Sequence, residues 1–289
     1  ALPGGAVRPL DDKVMPSLKA ENADLEVFPL VNNFEPVRNL WMQEVAGMFN
    51  RPAARAAFRA EVTAFLASDR YRGLTVDFEG FPLSAQPGYR ALLAELSSDL
   101  HARGMKLYVA LPAHNQDFDY AYVAAHVVGL ILMNYDQHYP GGPPGPVAAQ
   151  SWFTDNLNFA LKAMPREKII VAVGNYGYEW TSDPKRPERI LKIEPSSVQG
   201  AWLTAAESDA TPELDADSLN PHFAYLDEFS RRHDVWFLDG VTALNQMRAA
   251  DALGINAFAL WRLGAEDRSL WAVWDLPGES DAAQKLRAV

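Results

Sequence analysis

Near-continuous apolar runs alternate with segments of helical periodicity along most of this chain, and that alternation limits the fold most tightly. The apolar runs fall at 25–31, 74–79, 105–111, 127–135, 168–173 and 255–261. Helical periodicity covers 52–68, 88–103, 118–126, 150–164 and 240–253. Its ends carry the expected punctuation: Pro52 opens one helix, and Gly104, Pro165 and Gly254 close others. Strands apolar on both faces belong to parallel sheets covered by helices. Such an α/β chain has two common solutions, a doubly wound sheet and a (β/α)8 TIM barrel. A doubly wound nucleotide fold calls for a glycine-rich turn, and neither G-x-G-x-x-G nor G-x-x-x-x-G-K-[ST] is present.

A barrel calls instead for polar residues at the C-terminal ends of several strands. The sequence supplies them: Asn32 and Asn33, Asp77 and Glu79, His114 and Asn115, Tyr135 and Asp136, Asn175 and Tyr176, Trp261 and Arg262. The expected fold is therefore a (β/α)8 barrel. Its first two strands are not evident, because residues 1–24 read as loop. Residues 181–239 break the rhythm. They are polar and proline-rich, then offer two antiparallel strands, 222–226 and 234–238. They read as an inserted β-hairpin subdomain ahead of the last strand.

The residues 73–79, Gly-Leu-Thr-Val-Asp-Phe-Glu, carry the chemistry. Side chains alternate along a strand, so Leu74, Val76 and Phe78 share one face while Thr75, Asp77 and Glu79 share the other. Two carboxylates then lie side by side, with Cα atoms about 7 Å apart. Burying charge is unfavourable unless the charge is paired or used, so an apolar strand ending in two acids reads as a catalytic edge. The plainer alternative is a solvated strand terminus.

Composition removes several other functions. Asp and Glu number 37 against 26 Lys and Arg, a net charge of −11, which suits a nucleic-acid partner poorly. There is no cysteine, hence no disulfide, thiolate metal site or cysteine nucleophile. His114, His138, His222 and His233 have no metal-ligand spacing, and no cofactor is expected. The apolar stretch 121–133 is too short to span a bilayer and contains His126. The loop-like start resembles the interior of a longer protein rather than a secretory signal.

Several motifs together resemble glycoside hydrolase family 18, the chitinase-like barrels. Asp77-Phe78-Glu79 matches the end of that family's D-x-x-D-x-D-x-E motif. Met133-Asn134-Tyr135-Asp136 matches M-x-Y-D, and Trp261 matches the tryptophan of the final strand. The resemblance runs from about residue 25 to 275 and is nearest to a bacterial subgroup fused to polysaccharide deacetylase and family-2 glycosyltransferase domains. It departs from the family at Arg72 and Thr75, where two acids are usual, and at Arg262, where an acid often follows the tryptophan.

The resemblance implies that residues 1–289 form one catalytic barrel. It implies a retaining hydrolase of β-linked N-acetylglucosamine polysaccharide, in which the substrate's own acetamide is the nucleophile. Glu79 would then be the general acid, raised in pKa by burial and its neighbouring carboxylate. Asp77 would accept the acetamide N–H, and Tyr135 would donate to the acetamide oxygen. Trp261 would form the floor under the sugar. Asp136, Met133, Asn134, Asn33 and Tyr176 would complete the substrate-binding set. A non-catalytic carbohydrate-binding barrel, or a scaffold in a polysaccharide-processing fusion, is the alternative. Further domains of a membrane-associated polypeptide and an extracytoplasmic location follow from the same resemblance. Asp117-Phe118-Asp119 and Asp215-Ala216-Asp217 mimic a metal-binding D-x-D but read as loop or helix-start acids.

Overall fold

A computed structural model describes residues 1, 4–7, 22, 24–68, 70–266 and 268–274. The chain divides into two compact units. The first holds Ala1–Ile131 with Ala163–Ile169, and the second Leu132–Lys162 with Ile170–Val289.

In the first unit, strand β1 (Leu30–Asn32) pairs in parallel with β2 (Gly73–Asp77), and β2 with β3 (Lys106–Pro112). β1 is shorter than its apolar run because Pro29 has no N–H for a ladder. The carbonyls of Val27 and Pro29 still accept from Arg72 and Thr75. All five residues of β2 are buried, as expected for a strand covered on both faces. Helix α1 (Pro52–Phe65) and helix α2 (Gln86–His101) each begin with proline in the first turn. Gly104, at φ 67°, ends the second helix in the left-handed conformation that glycine adopts without strain. Phe78 turns away from the acids into a cluster with Phe49, Phe58 and Tyr89. Asp119 caps α3 (Tyr120–His126) by accepting from the Tyr122 N–H.

Strand β4 (Gly129–Met133) leads into the second unit, which holds most of α4 (Gln150–Ala163) and of β5 (Ile169–Gly174). Five antiparallel strands follow: β6 (Gly177–Asp183), β7 (Arg186–Ser196), β8 (Glu213–Leu214), β9 (Pro221–Leu226) and β10 (Arg232–Phe237), in the order β8-β9-β10-β6-β7. The expected hairpin is thus present as β9 and β10, but inside a larger sheet that begins at Gly177. Helix α5 (Val198–Glu207) packs on this sheet, with Trp202 edge-on to Phe237. After α6 (Gly240–Ala252), strand β11 (Phe258–Trp261) pairs in parallel with β5 and α7 (Arg268–Val273) follows.

The parallel strand order is β1-β2-β3-β4-β5-β11. The architecture is therefore α/β, as expected, with a parallel sheet of six strands rather than eight among the described residues. The two remaining barrel strands would precede residue 25, where most positions lie outside the described residues.

Candidate active site

In the first unit, β2 delivers two acids to its C-terminal end. Asp77 is only 7% exposed, and its Oδ1 is buried without a hydrogen-bond partner. Burial alone lifts its carboxyl from 3.8 to about 7. Thr75, two residues back on the same face, is buried as well, so the usual neighbouring carboxyl is replaced by a neutral side chain. The phenol of Tyr89, on α2, is fully buried and its hydroxyl also lacks a partner. Burial and then the nearby charge of Asp77 push that phenol up.

Glu79 lies two residues beyond Asp77 and is half-buried. Its main chain is held by Asn33, whose Oδ1 accepts from the Glu79 N–H at 2.9 Å and whose Nδ2 donates to the Glu79 carbonyl at 2.7 Å. Asn33 is fully buried. The residue expected to contact substrate therefore spends its amide on the main chain of the acid.

In the second unit the strand ends gather an aromatic cluster around one carboxylate. Asp136 sits at φ 62°, a conformation that aspartate tolerates better than most residues. Its Oδ1 accepts from the Tyr176 hydroxyl at 2.6 Å and the Tyr178 hydroxyl at 2.9 Å. Burial of the carboxylate among these rings raises its pKa, and the two phenol hydrogen bonds oppose that rise. Both phenols are pushed up, first by their own burial and then by the charge of Asp136.

Tyr135 packs edge-on to Tyr176 at 5.9 Å and lies nearly parallel to the indole of Trp261 at 6.4 Å. Trp261 is 47% exposed, so a large aromatic face is open to solvent at the end of β11. The main chain fixes this arrangement. Asn175 N–H donates to the Trp261 carbonyl, its Nδ2 donates to the Leu238 carbonyl, and Leu238 N–H donates to the Tyr176 carbonyl.

The remaining candidates are placed less directly. Met133 is half-buried at the end of β4. Asn134 is fully buried and faces α4, donating to the Phe153 carbonyl and accepting from Asn156 Nδ2 at 2.9 Å. It holds a helix to a strand end. Tyr178 was not anticipated, although Tyr176-Gly177-Tyr178 repeats an aromatic at the two-residue spacing of one strand face. Tyr89 carries no sequence signal beyond helical periodicity. Of the two D-x-D look-alikes, Asp119 is a helix cap and Asp215 accepts from the Ser218 N–H and hydroxyl. Among the described residues no three His, Asp or Glu are grouped to hold a metal ion.

The sequence profile of "Glycosyl hydrolases family 18" matches residues 39–266. The chain is 30% identical over 223 residues to a Bacillus subtilis (strain 168) protein named "Putative sporulation-specific glycosylase YdhD", covering 75% of this chain and 52% of that protein. It is 28% identical over 213 residues to the cortical fragment-lytic enzyme of the same organism, covering 70% and 48%. The chain thus spans about half the length of these two relatives. The crystal structure of a chitinase from Chromobacterium violaceum superposes with a TM-score of 0.83 at 25% identity, covering all of this chain and 89% of that one.

Proposed function

The chain belongs to glycosyl hydrolase family 18, and from that premise we propose that it is a retaining glycoside hydrolase of β-linked N-acetylglucosamine-containing polysaccharide. The observation that carries this reading is Asp77. It is a buried carboxyl, raised to about 7, on a strand whose next acid is Glu79. Perturbed acids of this kind gather where proton chemistry is done. The named relatives, a cortical fragment-lytic enzyme and a chitinase, support a polymer of this class.

In the proposed reaction Glu79 gives its proton to the leaving oxygen as the C1–O bond breaks. The carbonyl oxygen of the substrate's own acetamide closes on C1, which is this family's exception to the usual two-carboxyl route. Asp77, as a carboxylate, accepts the acetamide N–H and offsets the positive charge of the oxazolinium. Tyr135 donates to the acetamide oxygen, and Trp261 offers its open face to the C–H face of the sugar. Water then opens the oxazolinium on the face left by the departing group, with Glu79 taking the water's proton. Two inversions at C1 give net retention.

The test is Glu79→Gln. Removing a general acid lowers turnover by roughly 10²- to 10⁴-fold. Release of reducing ends from an N-acetylglucosamine oligomer should fall by that order while binding persists. Equal turnover by the variant and the wild type would sink the assignment. Thr75, standing where an acid is usual, favours a second reading in which the domain holds glycan without cutting it. Calorimetric affinity with no hydrolysis by the wild type would establish that reading instead. The polymers concerned lie outside the cytoplasm, so we place the activity there, within a polypeptide that carries further domains.

A further inference from the structure

We infer that Asn33 is a positioning residue for Glu79, continuing with a side-chain amide the pairing that β1 and β2 give up. This inference rests on the proposed role of Glu79. The ladder between β1 and β2 ends at the pair Asn32 and Asp77, so Glu79 lies past the last paired residue of its strand. A free strand end leaves its N–H and C=O to water or to a side chain. Here the Asn33 amide serves both groups of Glu79, at 2.9 and 2.7 Å, as a neighbouring peptide would. Its second Nδ2 proton goes to the Met42 carbonyl at 3.0 Å, and its own carbonyl accepts from the Met42 N–H at 2.8 Å. One fully buried side chain therefore joins the acid to the segment that returns to Met42.

The residues on either side of Glu79 are fixed too. Phe78 is locked in its aromatic cluster. Gly80 sits at φ 65°, and a Cβ there would come within 3.1 Å of the Trp41 Cβ. A side chain at this position would be strained and would press on the same returning segment. Three consecutive residues thus hold one backbone course, and Asn33 supplies its hydrogen bonds. Aspartate lacks the donors, leucine lacks both donors and acceptor, and glutamine carries its amide one methylene further out.

The consequence is selective. A general acid matters most when the leaving group is a poor one, such as a sugar hydroxyl, and little when it is an acidic phenol. An acid displaced by about 1 Å loses rate on the order of 100-fold. Asn33→Ser should therefore lower kcat/KM, which reads the bond-breaking step alone, on the order of 100-fold for an N-acetylglucosamine oligomer, yet by less than about threefold for the nitrophenyl glycoside of the same sugar. Glu79→Gln should show the same leaving-group contrast at larger amplitude. In the Glu79→Gln background, Asn33→Ser should add nothing to the contrast.

Asn33→Asp provides a second variant. It keeps an acceptor for the Glu79 N–H but lacks the Nδ2 donors, so it should show the same leaving-group contrast as Asn33→Ser, which a merely structural defect would not do. Equal losses on the two substrates, in Asn33→Ser or in Asn33→Asp, would overturn the inference while leaving the hydrolase reading intact. A wild type that cleaves neither substrate would overturn both.

Discussion

Replacing Asp77 by asparagine should make the protein more stable and less active, with the gain in stability confined to the upper pH range. Asp77 is buried, has one oxygen with no partner, and holds its proton to about 7 instead of 3.8. Each tenfold of proton affinity corresponds to 1.36 kcal/mol, so ionising Asp77 in the folded chain costs about 4 kcal/mol more than in the unfolded chain. Between those two values the folded state binds more protons than the unfolded state. Stability therefore falls as pH rises through this window and levels off above about pH 7.

Asp77→Asn removes the ionisation and keeps the shape. Near pH 4 the two proteins should melt together, and at about pH 8 the variant should lead by up to about 4 kcal/mol. At roughly 2 °C per kcal/mol for a chain of this size, that is a rise in Tm of about 8 °C. Thermal or urea unfolding across this pH range measures it. A difference that is the same at every pH would refute the reasoning, because it would have nothing to do with the proton. The same ionisation should appear in catalysis. Asp77 must be a carboxylate to accept the acetamide N–H, so kcat/KM of the wild type should rise with pH through about 7. A gain in stability bought with lost activity is the usual mark of a strained functional group.

Three further outcomes follow from the same geometry. Glu79→Gln should lower reducing-end release by roughly 10²- to 10⁴-fold and spare binding, as read by paired activity and calorimetric assays. A fully deacetylated polymer should not be cleaved, because it lacks the internal nucleophile; product analysis showing equal cleavage would exclude substrate assistance. Asp136→Leu leaves the Tyr176 and Tyr178 hydroxyls without their shared acceptor and should destabilise by about 1–3 kcal/mol in urea unfolding, whereas Asp136→Asn, which keeps an acceptor oxygen, should lose less.

Much of this was legible in the sequence, for identifiable reasons. Long periodic segments gave their helices to within a few residues, since Pro52, Gly104 and Pro165 act locally. Asp77 was found buried at the end of its strand, with Glu79 two residues past it, and Tyr135, Asp136, Tyr176 and Trp261 lie at or just beyond strand ends as expected. What alternation cannot reveal is where a side chain finds its partner. Asn33, Asn134 and Asn175 all look like polar residues at strand ends, yet each is buried and bonded to main chain. Residues 181–196 were read as the polar, proline-rich opening of the inserted subdomain and not as strands, because β7 is largely exposed and rich in charge and so lacks an apolar run. Tyr178 went unassigned because its partner, Asp136, lies 42 residues away.

The central claim is that this domain cuts an N-acetylglucosamine polymer through the substrate's own acetamide, with Glu79 serving as acid and then base. The most direct measurement is proton NMR of the first sugar anomer released from an N-acetylglucosamine oligomer by the wild type, before mutarotation. The account predicts the β-anomer, formed by two displacements at C1. Initial release of the α-anomer would contradict it, since a single displacement by water needs neither the acetamide nor an oxazolinium.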